Sequence, residues 1–207
     1  MKRAVMSMFL LAVFPVASWA GGTHFIIEPY TGLTFNLGYS AENLLGLESG
    51  ALLGVGGKFK GFPPRFYLYF RAGQAFFGDD EVLVKDRDAI CEVRRSVVPV
   101  MGGLRIVIPT WSYLRLNLDI GGGAVFTDVH FREPGYSLGY AKTLSAVELG
   151  AGLNWRLFRW LSLGAMFNYT FLAEDERGDL ASVILGAADN GARPGWARLV
   201  ATLGIHF

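Results

Sequence analysis

The chain has 207 residues, which is the size of one domain. Hydrophobic residues make up 52% of it and the mean hydropathy is +0.33, a high value for a soluble protein. The formal net charge of +1 argues against nucleic acid as a partner. The single cysteine, Cys91, excludes an intramolecular disulfide and a multi-cysteine metal site. We expect neither a cofactor nor a bound metal.

The first twenty residues have the organisation of a secretory signal peptide. Lys2 and Arg3 precede an apolar run, and Ser18-Trp19-Ala20 presents small residues where a signal peptidase would cleave. The alternative is an uncleaved anchor, but the run is short for a membrane span and contains Pro15. We therefore predict a signal peptide over 1–20 and a mature domain over 21–207. Cleavage removes two cations, so the formal net charge changes from +1 to −1.

After the signal peptide, apolar residues recur at every second position in eight segments, and none is apolar enough for a transmembrane helix. In the clearest segment Leu114, Leu116 and Leu118 alternate with Arg115, Asn117 and Asp119. Each segment is about 11–14 residues long, the length of a tilted strand that crosses a bilayer. The pattern predicts an all-β fold, a closed up-and-down antiparallel transmembrane barrel of eight strands.

The predicted connections alternate in length. We expect short turns near 61–65, 109–112 and 156–160, and longer loops over about 40–49, 78–95, 127–140 and 173–195. Long loops outside and short turns inside are typical of transmembrane barrels, and an even strand count then places both termini in the periplasm. Alternation continues over 81–84 and 92–94, which indicates that strands three and four extend beyond the membrane as a hairpin with an exposed edge.

Side-chain volume indicates which face of each strand points inward. The apolar faces carry bulky residues such as Phe35, Phe70 and Phe167, whereas the polar faces carry about a dozen glycines. The interior of an eight-stranded barrel is just wide enough for side chains, and small residues relieve crowding there. We therefore expect the apolar faces to meet lipid. The alternative is a soluble periplasmic barrel with an apolar interior.

Aromatic residues at the strand ends predict two interfacial girdles. One girdle lies near the short turns and the other near the long loops. The first comprises Trp111, Tyr113, Trp155, Phe158, Trp160 and Phe207, and the second Tyr39, Tyr140, Tyr169, Phe171 and Trp196.

The last strand places Leu199, Ala201, Leu203 and Ile205 before a terminal Phe207, and the opening strand contains Glu28-Pro29-Tyr30 followed by Gly32. Over residues 26–207 the chain thus resembles the small eight-stranded outer-membrane barrels of Gram-negative bacteria, of the OmpA, OmpX and OmpW kind. The resemblance implies that Leu203, Ile205 and Phe207 form the signal read by the barrel-assembly machinery. It also implies a monomer in the outer membrane, with lipid and lipopolysaccharide as partners.

Seven charged residues fall on the polar faces and are expected in the lumen. They are Glu28, Arg71, Arg105, Arg115, Asp119, Glu148 and Arg198. Unpaired charges are costly in a narrow lumen, so we expect acid–arginine pairs between strands. We favour a packed polar plug. The alternative is an ion-pair gate over a thin water path, which would make the protein a narrow channel for ions or small solutes.

The histidines form no catalytic motif in the sequence. His130 is expected in the third outer loop beside Glu133, and Phe131 and Arg132 follow it rather than a serine. His206 is expected to make a hydrogen bond in the lumen. A lipid-modifying enzyme, the other alternative, would need a nucleophile, a histidine and an acid close together at the membrane rim. We therefore expect no enzymatic activity.

The outer loops carry two carboxylate clusters that could hold divalent cations bridging lipopolysaccharide phosphates. The clusters are Asp79, Asp80 and Glu81, and Glu174, Asp175 and Glu176. The simpler interpretation is a solvated acidic loop. Arg87, Arg94 and Arg95 could instead contact the phosphates directly. The sequence therefore predicts a non-enzymatic outer-membrane barrel with a structural role or a surface-interaction role, and it identifies no surface ligand.

Overall fold

The computed structural model describes residues 23–36, 45–59, 63–84, 89–133, 136–172 and 195–207, so the predicted signal peptide lies outside it. The described residues form eight β-strands. These are β1 His24–Asn36, β2 Leu45–Lys58, β3 Arg65–Val84, β4 Ala89–Pro109, β5 Leu114–Glu133, β6 Tyr136–Arg156, β7 Leu161–Leu172 and β8 Gly195–His206. In this part of the chain no helix has the length and hydropathy needed to cross a membrane.

Every strand pairs with the next one in antiparallel orientation, and β8 pairs with β1 to close the barrel. The β1–β8 ladder skips Glu28 and Pro29, since proline has no N–H to donate. Phe25 and Phe207 continue it by exchanging backbone hydrogen bonds of 3.2 and 3.0 Å. Closure satisfies backbone donors and acceptors within the wall, which is the condition for a sheet to cross hydrocarbon. The predicted fold class is confirmed.

The two ends of the barrel differ in shape. The start of β1, the end of β8 and the ends at which β2 joins β3, β4 joins β5 and β6 joins β7 lie together, and we call this the short-turn end. At the other end β3 to β6, of 20 or 21 residues each, outrun the remaining strands, which have 12 to 14. We call the overhanging parts of these four strands the extension.

The end of the barrel opposite the short turns confirms one sequence prediction and corrects two others. β3 and β4 stay paired as far as Val84 and Ala89, as expected for a hairpin. The loop predicted over 127–140 is wrong, because β5 and β6 pair as far as Glu133 and Tyr136. The loop predicted over about 40–49 is also wrong for residues 45–49, because they belong to β2. Paired backbone groups stabilise a strand whatever its side-chain pattern, so polar or glycine-rich stretches there need not be loops.

The apolar sides of the strands face outward, as predicted. Neighbouring residues of β6 show the contrast: Glu148 is 0% exposed and Leu149 is 47% exposed. The girdle predicted at the short-turn end is also exposed, with Trp111, Trp160 and Phe207 on the outside. Trp196 corrects the second girdle. It is 8% exposed and packs inside with Met101 and Val125, because it shares the inward phase of Arg198.

Candidate functional site in the barrel lumen

Three buried charges form the lower ion group, which lies nearer the short-turn end: Glu28, Arg105 and Asp119. Arg105 and Asp119 are direct cross-strand partners on β4 and β5. The Arg105 guanidinium binds Asp119 in a bidentate manner, with Nε–Oδ1 at 2.7 Å and Nη2–Oδ2 at 2.8 Å. Its remaining nitrogen, Nη1, lies 2.8 Å from Glu28 Oε2 across the lumen. One arginine therefore serves two carboxylates, and the group has a formal charge of −1.

Four further buried charges form the upper ion group: Glu48, Arg71, Glu148 and Arg198. Arg198 donates from Nη1 to Glu48 Oε1 at 2.6 Å and from Nη2 to Glu148 Oε1 at 3.1 Å. Arg71 binds both oxygens of Glu148. The Arg198 guanidinium carbon also lies 5.4 Å from the centre of the Tyr30 ring. Two arginines face two glutamates, so this group is formally neutral.

Neutral hydrogen-bond donors complete the upper ion group. Glu148 accepts hydrogen bonds from Asn168 Nδ2 at 3.0 Å and from Thr170 Oγ1 at 3.1 Å. Glu48 accepts one from the Tyr30 hydroxyl at 3.1 Å. A buried ion pair is stable only when its remaining lone pairs are also satisfied. These contacts supply that for Glu148, whereas Glu48 Oε2 has no hydrogen-bond partner among the described residues.

Glu48 is the member of this network that the sequence analysis missed. It lies in the part of β2 that was predicted to be a loop. The signal was present, because Leu45 and Leu47 continue the alternation of Ala51 and Leu53. Extending that phase would have placed Glu48 on the inward side.

Arg115 departs from the expected pairing. It lines a small cavity together with Asn117, Asn154, Ser162 and His206, and it has no carboxylate partner among the described residues. The cause is the position of Arg115. It lies two residues nearer the short-turn end than Asn117 on the same strand, which is too far from Asp119 for an ion pair. The other six predicted lumen charges are brought together in the two ion groups.

The lumen is filled rather than open. Two small cavities in it, each with room for about one water, are both lined by Glu28 and Arg105, which lie between them. Glycines on the inward faces make space for tyrosine: a Cβ at Gly73 would overlap the Tyr30 hydroxyl, and one at Gly121 would overlap that of Tyr69. The lumen is therefore crowded at these glycines, as the glycine-rich polar faces predicted.

The histidines take different places. Ser162 and His206 are hydrogen-bonded at 2.8 Å inside the lumen near the short-turn end, as expected for His206. His130 lies in β5 and not in a loop, with Nε2 at 3.2 Å from Asp128. In the described ranges no three potential metal-ligating side chains come together.

The predicted loop carboxylates do not all lie in loops. Asp79, Asp80 and Glu81 belong to strand β3, where Glu81 is paired with Glu92 of β4. Their assignment to a loop is therefore wrong, for the reason given for the extension. Glu174, Asp175 and Glu176 lie outside the described residues.

By sequence, the chain matches no known protein family and no curated protein. By structure, it is similar to Neisserial surface protein A with a TM-score of 0.58 and 10% identity, over 90% of this chain and 99% of that one. It is also similar to a major outer membrane protein of Thermus thermophilus (TM-score 0.57, 13% identity, 90% and 100% covered). A third is Ail of Yersinia pestis (TM-score 0.53, 14% identity, 90% and 99% covered). The chain therefore has the fold of the small outer-membrane β-barrels.

Proposed function

We propose that this protein is a non-enzymatic barrel of the outer membrane, with a structural role and a surface-interaction role that the extension carries. The overhang of β3 to β6 is the observation behind this proposal. β3 continues from Phe77, its last residue paired with β2, to Val84, and β6 begins at Tyr136, before its pairing with β7 at Ala146. At about 3.3 Å per residue, these segments reach about 20–30 Å past their neighbours.

The outer edges of the extension favour a binding role. Among the described residues no strand pairs with β3 beyond Phe77 on its β2 side, or with β6 before Ala146 on its β7 side. Unpaired backbone N–H and C=O groups along such an edge can accept an extended segment of a partner. In a soluble protein an exposed strand edge carries a risk of unwanted pairing. Two long exposed edges are therefore consistent with a surface that binds a partner.

The outer surface supports the membrane location. Bulky apolar side chains cover it, and exposed aromatic residues mark the short-turn end. We place the short turns and both termini in the periplasm and the extension outside the cell. Outer-membrane lipid and lipopolysaccharide would surround a monomeric barrel. Leu203, Ile205 and Phe207 lie at the end of β8 and would be read by the barrel-assembly machinery.

Two alternatives receive less support. A channel would need a water path past Glu28 and Arg105, and these two residues are bound to each other across the lumen. A lipid-modifying enzyme would need its nucleophile at the rim, whereas Ser162 is 2% exposed and faces the lumen. No carboxylate within the described ranges is hydrogen-bonded to His206, so the Ser162–His206 pair lacks an acid.

One structural neighbour suggests the first ligand to try. Ail is named the attachment invasion locus protein, and a second structure of it contains the heparin analogue sucrose octasulfate (TM-score 0.54, 13% identity). A sulfated glycan is therefore a reasonable first probe for the extension of this chain.

The test compares the wild-type protein with a variant in which residues 79–94 and 129–140 are replaced by short turns. Both proteins should fractionate with outer membranes, shift their gel mobility on heating and give no conductance steps in planar bilayers. Immobilised heparin and a panel of host surface proteins should bind only the wild type.

Conductance steps would overturn the plug, and fractionation with soluble proteins would overturn the membrane location. If nothing in the panel binds, the surface-interaction role fails and only the structural one remains.

A further inference from the structure

Four cations surround the lumen at the short-turn end, and we call them the cationic mouth: Lys58, Arg65, Arg115 and Arg156. Each lies on a different strand, in phase with inward-facing residues of that strand such as Tyr67, Asn117 and Asn154. Lys58 and Arg65 are direct cross-strand partners. Arg115 lies within electrostatic range of both Arg65 and Arg156, which repel it.

No Asp or Glu side chain in the described part of the chain pairs with a cation of the mouth. The stretches 49–78, 93–118 and 149–173, which contain all four cations and the three turns of this end, have no Asp or Glu. The first carboxylates inward on β1 and β5 are Glu28 and Asp119, and both already bind Arg105. The four cations carry a formal charge of +4 and the lower ion group carries −1, so together they have a formal charge of +3.

The guanidinium groups of the mouth have free donors. Arg115 donates no hydrogen bond to any described residue. Arg156 donates from Nε to Phe158 O at 3.1 Å and from Nη2 to Arg159 O at 2.7 Å, which leaves Nη1 unused. The cavity beneath Arg115 is lined by the polar residues Asn154, Ser162 and His206, by the apolar residues Ile26 and Val107, and by Glu28, which Arg105 binds. Forked guanidinium donors are suited to oxyanions with several acceptor oxygens.

The position of the mouth indicates which oxyanion is within reach. Trp111, Tyr113, Phe158 and Trp160 are exposed around the same end. Such aromatic residues lie at the level of lipid headgroups, so phosphate groups of phospholipids would lie beside the mouth, and soluble phosphate would reach it from the aqueous side. Clustered cations prefer a multivalent anion to chloride, because its charge interacts with several of them at once.

We propose that the cationic mouth binds phosphate-type oxyanions, with Arg65, Arg115 and Arg156 as the ligands. This inference is independent of the extension and of the orientation in the membrane, because the short-turn end is defined by the strand topology alone.

The first arm of the test uses soluble anions. Purified barrel, refolded in a non-ionic detergent, is titrated with inorganic pyrophosphate by calorimetry, with sodium chloride at matched ionic strength as the reference. The double variant R65Q/R115Q removes two ligands. The control K142Q removes a cation from β6 near the opposite end, so it changes the net charge without touching the mouth. We expect the double variant to bind at least about tenfold more weakly than the wild type, and K142Q to bind like the wild type.

The second arm uses lipid. The same three proteins are placed in phosphatidylcholine nanodiscs with and without phosphatidylglycerol, and the unfolding midpoint is measured. A rise with phosphatidylglycerol that the double variant loses assigns the site to lipid headgroups, whereas binding of pyrophosphate alone assigns it to a soluble anion. The proposal is overturned if the wild type responds in neither arm, if chloride has the same effect, or if K142Q loses as much as the double variant.

Discussion

The inner and outer sides of the barrel wall are made from alternate residues of the same strands, but the two sides offer a polar group opposite surroundings. On the inner side Glu148 has four partners, Arg71, Arg198, Asn168 and Thr170. On the outer side its neighbour Leu149 is 47% exposed to the surroundings of the barrel. A buried charge is stable in this wall only where other strands supply partners, so the effect of a substitution should depend on the side it faces.

The largest effect should come from breaking the upper ion group. Glu148→Gln leaves Arg71 and Arg198 without their shared counter-charge in a dry lumen. We expect it to lower the free energy of unfolding by about 3–5 kcal/mol, measured by equilibrium denaturation of the barrel refolded in phosphatidylcholine bilayers without anionic lipid. Arg115→Gln is the matched control. It removes an inward-facing charge that has no acid partner among the described residues, and it should change stability by less than about 0.5 kcal/mol. Equal losses would show that pairing does not set the cost.

A somewhat smaller effect is expected from a charge on the outer side. Ile120 is exposed at the middle of the membrane-spanning part of β5, and Ile120→Lys should cost about 2–4 kcal/mol in a bilayer, because the ammonium group would lie in hydrocarbon. Tyr113→Lys, in the short turn just before the same strand, should cost no more than about 1 kcal/mol. The same denaturation assay checks both variants. If Ile120→Lys proves harmless, the outer face does not contact lipid and the soluble-barrel alternative returns.

The smallest effect compares two adjacent glycines of β5 that face opposite sides. Gly121→Ala should lower stability by about 1–3 kcal/mol, because its Cβ would overlap the Tyr69 hydroxyl inside the wall. Gly122→Ala should be neutral or slightly stabilising, since its Cβ would meet Ala146 O at an ordinary 3.5 Å and the unfolded chain loses entropy. The two unfolding midpoints, measured side by side, decide the matter. A loss at Gly122 as large as that at Gly121 would contradict the crowded-lumen account.

The alternation of the strands was enough to predict where most charges point, but it could not predict their partners. Arg105 and Asp119 were both assigned to the lumen from the pattern of β4 and β5 alone. Their contact depends on the cross-strand register, which no single strand encodes. Arg115 has the same inward phase as Asp119, yet its lower position leaves it without an acid partner in the described part of the chain. Glu48 was missed because the start of β2 was predicted to be a loop. Trp196 was misplaced because it was assigned to an aromatic girdle at the start of β8.

The sequence by itself determined the number of strands, the closed all-β architecture and the side of the wall that most residues face. It could do so because a period of two is a local property of an extended chain. Only the tertiary structure decided which charges meet. Arg198 of β8 binds Glu48, 150 residues away in sequence, and Glu148, 50 residues away. Those distances are bridged by closure and register, which are properties of all eight strands together.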